Sequence, residues 1–151
     1  MTSKVVVLKN NVKAIRGVVT GAALKSAVMA GGQTLENYAK INVEKTFSGK
    51  STGGAGLGGS IQTVVSTSTE TKAEVDVGPT VIYGRIHEFG GIIRPVTAKF
   101  LHFIIDGIEI FTKLVQIPAR PYLRPAFDEH KDEIVDAMMH QVKKAIEQAA
   151  I

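Results

Sequence analysis

At 151 residues, 44% apolar and 21% charged, the chain fits one soluble domain large enough to bury a core. No window approaches 18 consecutive apolar residues, which excludes a membrane-spanning helix, and the lack of cysteine excludes disulfides, thiolate chemistry and Cys-based zinc sites. The net charge of +4 is unevenly spread: residues 1–50 hold eight Lys/Arg against two acids, and residues 128–151 hold three against six. That polarity suits head-to-tail contact between copies or contact with an acidic partner, although a basic and an acidic helix each facing water would give the same totals. The cations are scattered singly, without a dense cluster or interleaved aromatics, which argues against nucleic-acid recognition.

In chain order, Val5-Val6-Val7-Leu8 reads as a short strand or part of a flexible arm over 1–12, and it is too short for a secretory leader. From Thr20, a candidate N-cap, apolar residues recur at three- and four-residue spacing through Leu24, Ala27, Val28, Leu35, Ala39 and Val43. One long helix is expected. The apolar phase survives across Gly31-Gly32, a pair that lowers helix propensity by roughly 2 kcal/mol against two alanines and points to a close-packed neighbour. Residues 48–60 carry six glycines in thirteen positions and are expected to form a mobile loop. Next, 61–67 and 73–78 alternate as two antiparallel strands, closed by Gly78-Pro79. By pattern alone 83–89 is ambiguous. Residues 100–105 and 108–115 flank Asp106-Gly107, a type I′ hairpin signal.

Three prolines between Ile117 and Pro125 then hold the backbone extended. Arg120 and Arg124 interrupt this otherwise apolar run, which reads as a docking element. Ile117, Leu123 and Phe127 are expected to pack inward and leave the two arginines available. A helix over 125–149 follows, with an apolar stripe of Ile134, Met138, Val142 (or Gln141), Ala145 and Ala149. Its acids, Asp128, Glu129, Asp132 and Glu133, sit near its start, in the favourable sense for the helix dipole. An antiparallel sheet packed against two long helices makes an α+β domain spanning 1–151.

Motifs for chemistry are weak. Gly49-Lys50-Ser51 copies the end of a phosphate-binding loop, but position 44 is glutamate where that loop needs glycine. His87, His102, His130 and His140 lack metal-ligand spacing and read as surface or salt-linked residues. Ser60 has no nucleophile elbow. Glu88 is expected to cap a turn or to pair with Arg85 or Arg94. Phe89 is expected to be buried above the tight reversal at Gly90-Gly91. No catalytic, cofactor or metal residue is assigned, so an enzyme is not expected; a hydrolase would need polar groups gathered by the fold.

Two stretches resemble a known family. Tyr83-Gly84-Arg85-Ile86-His87-Glu88-Phe89-Gly90 is similar to the "Tyr-Ala-x-x-x-Glu-Phe-Gly" motif of the tail-completion, or head–tail joining, proteins of long-tailed double-stranded DNA phages and prophages. Arg120-Pro121-Tyr122-Leu123-Arg124-Pro125-Ala126 is similar to their "Arg-Pro-Phe-Leu-x-Pro-Ala" motif. Gly84 and Tyr122 stand where alanine and phenylalanine are usual. Gly56-Leu57-Gly58-Gly59-Ser60-Ile61 is a weaker third match. The resemblance implies a short helix near 82–89 and a structural virion protein that completes the head-proximal end of a tail and joins it to the head connector. It also implies a ring, commonly six-fold, that surrounds DNA without reading it. The expected partners are further copies, the tail tube protein and a connector or stopper protein, with no membrane. In isolation a monomer or weak oligomer is expected, made in the bacterial host cytoplasm and placed in the tail or neck. Interaction residues are expected in and after the first motif (Arg85, Glu88, Phe89, Arg94), in the second (Arg120, Tyr122, Arg124), and among Asp128, Glu129, Asp132 and Glu133. A tail terminator, a tail-assembly factor or a nucleic-acid-binding module are the alternatives.

Overall fold

The computed structural model describes residues 21–47 and 56–149. The arm over 1–12, the candidate cap Thr20 and residues 48–55 of the glycine-rich stretch lie outside them. The described elements are helix α1 (Ala22–Thr46), a helical turn α2 (Leu57–Ser60), strands β1 (Ile61–Ser68) and β2 (Ala73–Pro79), and short helix α3 (Gly84–Phe89). Strands β3 (Gly91–Ile93), β4 (Leu101–Ile105), β5 (Ile108–Thr112) and β6 (Val115–Ile117) follow, then helices α4 (Leu123–Glu129) and α5 (Lys131–Ala149). The fold is α+β, with two long helices and antiparallel strands.

Helix α1 is the spine, and its glycines explain how it is packed. Consecutive helical residues point about 100° apart, so two adjacent glycines open two different sides. A methyl on Gly31 would fall 2.6 Å from Met138 Cγ of α5, and one on Gly32 would fall 2.4 Å from Thr63 Cγ2 of β1. Thus α5 lies close on one flank and the β1–β2 pair on the other. Side-chain links reinforce both contacts. Thr63 Oγ1 donates to Glu36 at 2.8 Å, the Tyr38 hydroxyl donates to Glu133, and the Tyr38 ring stacks on His130 with centroids 3.5 Å apart. At its start, the Gly21 N–H donates to the Glu70 carbonyl (2.9 Å), tying the helix to the β1–β2 turn.

The buried core gathers Ala39, Val43, Leu57, Ile61, Tyr122 and Ala126, where α1, α2, the start of β1 and the start of α4 converge. Residues 57–60, part of the stretch expected to be mobile, are therefore helical, with Leu57 and Ser60 buried. One leucine among glycines is enough to hold that end in the core.

Among the described residues the antiparallel strands pair as three two-stranded ladders, β1–β2, β3–β6 and β4–β5. The C-terminal helix is long, as expected, but it breaks at His130. The bend lets α4 seat Ala126 in the core while α5 turns to run along α1, and His130, stacked on Tyr38, marks the corner. The hairpin matches expectation closely: Asp106 (φ 52°) and Gly107 (φ 81°) form its two-residue turn.

Candidate functional site

The two motif segments are clasped together by one side chain. Glu88 is buried on the inner side of α3, and its carboxylate faces the start of α4. Oε2 accepts from the backbone N–H groups of Tyr122 (2.8 Å) and Leu123 (3.0 Å), and Oε1 accepts from that of Arg124 (2.9 Å). A helix start leaves four N–H groups without intrahelical partners. In α4 three of them meet Glu88, and the fourth position is Pro125, which has none. The cap therefore comes from 34 residues earlier in the chain. Of the roles expected for Glu88 the structure has the capping one, at a helix start; neither Arg85 nor Arg94 pairs with it, because three amides already surround the carboxylate.

Further contacts close the clasp. The Arg120 N–H donates to the His87 carbonyl (2.8 Å), and Asn42 Nδ2 donates to the Tyr122 carbonyl (3.1 Å). Gly91, Ile92 and Ile93 pair with Ile117, Gln116 and Val115. Gly90 adopts φ 69°, and a methyl there would fall 2.7 Å from the Ala119 backbone nitrogen, so no other residue lets the chains approach so closely. The two positions that depart from the family pattern also meet: the Tyr122 hydroxyl donates to the Gly84 carbonyl at 3.3 Å. Gly84 itself lies under Pro79, whose Cγ would be 2.3 Å from an alanine methyl. Burial, aided by the Glu88 charge, pushes the Tyr122 phenol up to about 12.

The clasp decides which residues face out. On α3 the inward positions are Gly84 and Glu88, one turn apart, so Phe89 points outward and is 70% exposed. On α4 Ala126 faces in, one turn after Tyr122, and Phe127 turns out, 47% exposed, with the Lys131 ammonium 5.5 Å from its ring centre. Both phenylalanines were expected to be buried, and both sit beside a smaller or polar residue that takes the inward place. Leu123 does pack against the core. Tyr122, expected at an interface, lies in the core at 1% exposure.

Around the clasp lies an open depression of about 530 Å³, lined by Pro79, Val81, Arg85, Glu88, Phe89, Tyr122, Leu123 and Arg124. Five of the expected interaction residues therefore converge here. Arg120 belongs to a neighbouring depression, its guanidinium 5.9 Å from the centre of the Phe47 ring, which also meets His87 edge-on at 5.0 Å. Arg94 lies exposed past β3, away from both. The acids are only partly free: Asp128 faces Arg124 (3.9 Å) and Lys131 (3.4 Å), and Glu133 accepts from Tyr38 and lies 3.2 Å from His130 Nδ1. Glu129 and Asp132 are exposed. Asn42 and His87 were missed as members of the site. Asn42 falls on the helical apolar stripe's border, a signal too common to single out, and His87 contributes mainly its backbone carbonyl.

Among the described residues no group of His, Asp or Glu is gathered so as to hold a metal ion, and no helix is long and apolar enough to cross a membrane. The arrangement offers a rigid, apolar, arginine-rimmed surface. Searches of curated proteins and of solved structures found no match. A sequence model described as the phage virion morphogenesis family matches residues 23–143, a span that includes both motif segments and the helices that carry them.

Proposed function

The chain belongs to the phage virion morphogenesis family, and on that premise we propose that it completes the head-proximal end of a phage tail and joins it to the head connector as a ring. Membership carries a structural part in building the virion. The finer reading assigns the protein a non-enzymatic place in the tail or neck, with further copies, the tail tube protein and a connector or stopper as partners. The carrying observation is the clasp of Glu88 on the start of α4. It sets exposed Phe89 in the lining of one depression with Arg85 and Arg124. A pre-ordered apolar anchor flanked by arginines is the composition of a protein-docking hot spot.

The test is complementation of a prophage lacking the gene with a Phe89→Ala/Arg85→Ala/Arg124→Ala variant. All three side chains are exposed, so the purified variant should unfold within about 1 kcal/mol of the parent. Infectious particles should fall on the order of tenfold or more, leaving separate heads and tails in electron micrographs. Normal particle yield would defeat the proposal. Tails of irregular length instead of unjoined ones would favour the tail-terminator reading.

A further inference from the structure

The corner between α4 and α5 is a break that its own residues do not require. Helices commonly end at a glycine in the left-handed region or just before a proline, and Asp128-Glu129-His130-Lys131-Asp132-Glu133 contains neither residue. His130 adopts φ −119°, ψ 24°, about 60° from helical values in each angle. Much of a continuous helix is already in place across it. The Ile134 N–H donates to the His130 carbonyl (3.0 Å), and Lys131 reaches back to Asp128 (3.4 Å) at helical i,i+3 spacing. Rotation at one residue would join 123–149 into a single helix.

What keeps the corner bent comes from outside it. Tyr38 of α1 stacks on His130 and donates to Glu133, so one side chain grips both the corner residue and the first turn of α5. The acids add to this. In a joined helix Asp128 would neighbour Asp132 and Glu129 would neighbour Glu133, each pair four residues apart, where like charges repel. In the bent form Asp132 and Glu133 instead occupy the first turn of α5, the end at which the helix dipole favours them. Along the rest of α1 the hold is slighter. Of the nineteen residues of α5 only Ile134 is buried, with Met138 lying over Gly31.

We infer that this corner is a two-state hinge, latched bent by Tyr38 and kept from straightening by its four acids. In the straight state α4 stays clasped by Glu88, α5 swings away, and the Gly31 side of α1 is uncovered. Neutralising the acids, as a cationic surface lying across the corner would, favours the straight state. The inference does not depend on the role in tail assembly.

The chain has no cysteine, so a pair of spin labels reports the hinge in the purified full chain. Labels at Lys25→Cys and Lys144→Cys flank the place where Ser26 meets Gln141 (3.4 Å), and both positions are exposed. The labelled parent should show one short distance by double electron–electron resonance. Tyr38→Ala should add a longer one. Adding Glu129→Gln and Asp132→Asn removes both like-charge pairs and should raise the longer population about two- to fivefold. Lys131→Pro in that chain should abolish it, since proline is accepted at the first position of α5 but its ring would meet the Phe127 carbonyl in a joined helix. A single short distance in every variant would overturn the hinge. So would a longer population that survives Lys131→Pro, which would mean that α5 merely frays from α1. If Tyr38→Ala loses its cooperative melt, Tyr38→Phe keeps the ring, loses only the bond to Glu133, and is read by the same two outcomes.

Discussion

At the scale of single residues, Glu88 does more for the fold than any local pattern suggests. Its carboxylate stands in for the side-chain cap that α4 lacks, and its negative charge lies at the favourable end of that helix. Glu88→Ala would leave three amides without acceptors in a buried place. The expected loss is about 2–4 kcal/mol, read from the denaturant midpoint. Glu88→Gln keeps one oxygen but turns an N–H toward N–H groups, so it should fall between the parent and the alanine variant. If Glu88→Ala unfolds within about 0.5 kcal/mol of the parent, the clasp is not holding the two segments. The motif and a capping role for its glutamate were legible in the sequence, but which backbone it caps was not. A carboxylate that caps a helix 34 residues away leaves no trace in spacing. Phe89 and Phe127 were misplaced for a related reason: apolar character says that a residue can be buried, while the neighbouring Glu88 and Ala126 decided which one was.

At the scale of elements, periodicity carried α1, the β1–β2 pair and the β4–β5 hairpin, because each repeats its signal over several residues. It did not carry the break at His130, since the apolar stripe continues on either side of the bend. The glycine pair in α1 sharpens into a comparison. Gly31→Ala pushes a methyl onto Met138 Cγ (2.6 Å) and Sδ (2.9 Å), and this unbranched side chain can take another rotamer at modest cost. Gly32→Ala pushes toward Thr63 and Val75, branched side chains fixed on a paired sheet. Alanine gains up to about 1 kcal/mol of helix propensity at each site. Gly31→Ala should thus be near neutral, and Gly32→Ala should lose about 1–3 kcal/mol overall from overpacking. Equal thermal midpoints for the two variants would contradict the packing of α1 between two unlike neighbours.

At the scale of the whole molecule, acid should loosen both flanks of α1 together. At Glu36 burial pushes the carboxyl upward but is outweighed by hydrogen bonds from Lys40 and Thr63, and the net position is below the ordinary 4.5. Glu133 is also lowered, first by the hydrogen bond from Tyr38 and then by His130. A carboxyl that is more acidic when folded stabilises the fold above its unfolded value. That contribution fades as pH drops through the folded value. Thermal midpoints should therefore decline below about pH 4.5, and the decline should be shallower in Glu36→Gln/Glu133→Gln. An unchanged slope would mean that these links form equally well in the unfolded chain.

The β3–β6 pairing and the Glu88 clasp together have a consequence for how such a chain can diversify. They pin both ends of the excursion from Arg94 to Leu114, so the body contributes a socket and the excursion is a cassette plugged into it. Loop-closure entropy grows only slowly with length, so a longer, shorter or re-coded cassette would burden the socket little. A lineage could then change which surface it presents to its neighbours while inheriting the body intact, and variation in length and composition would gather between those two residues.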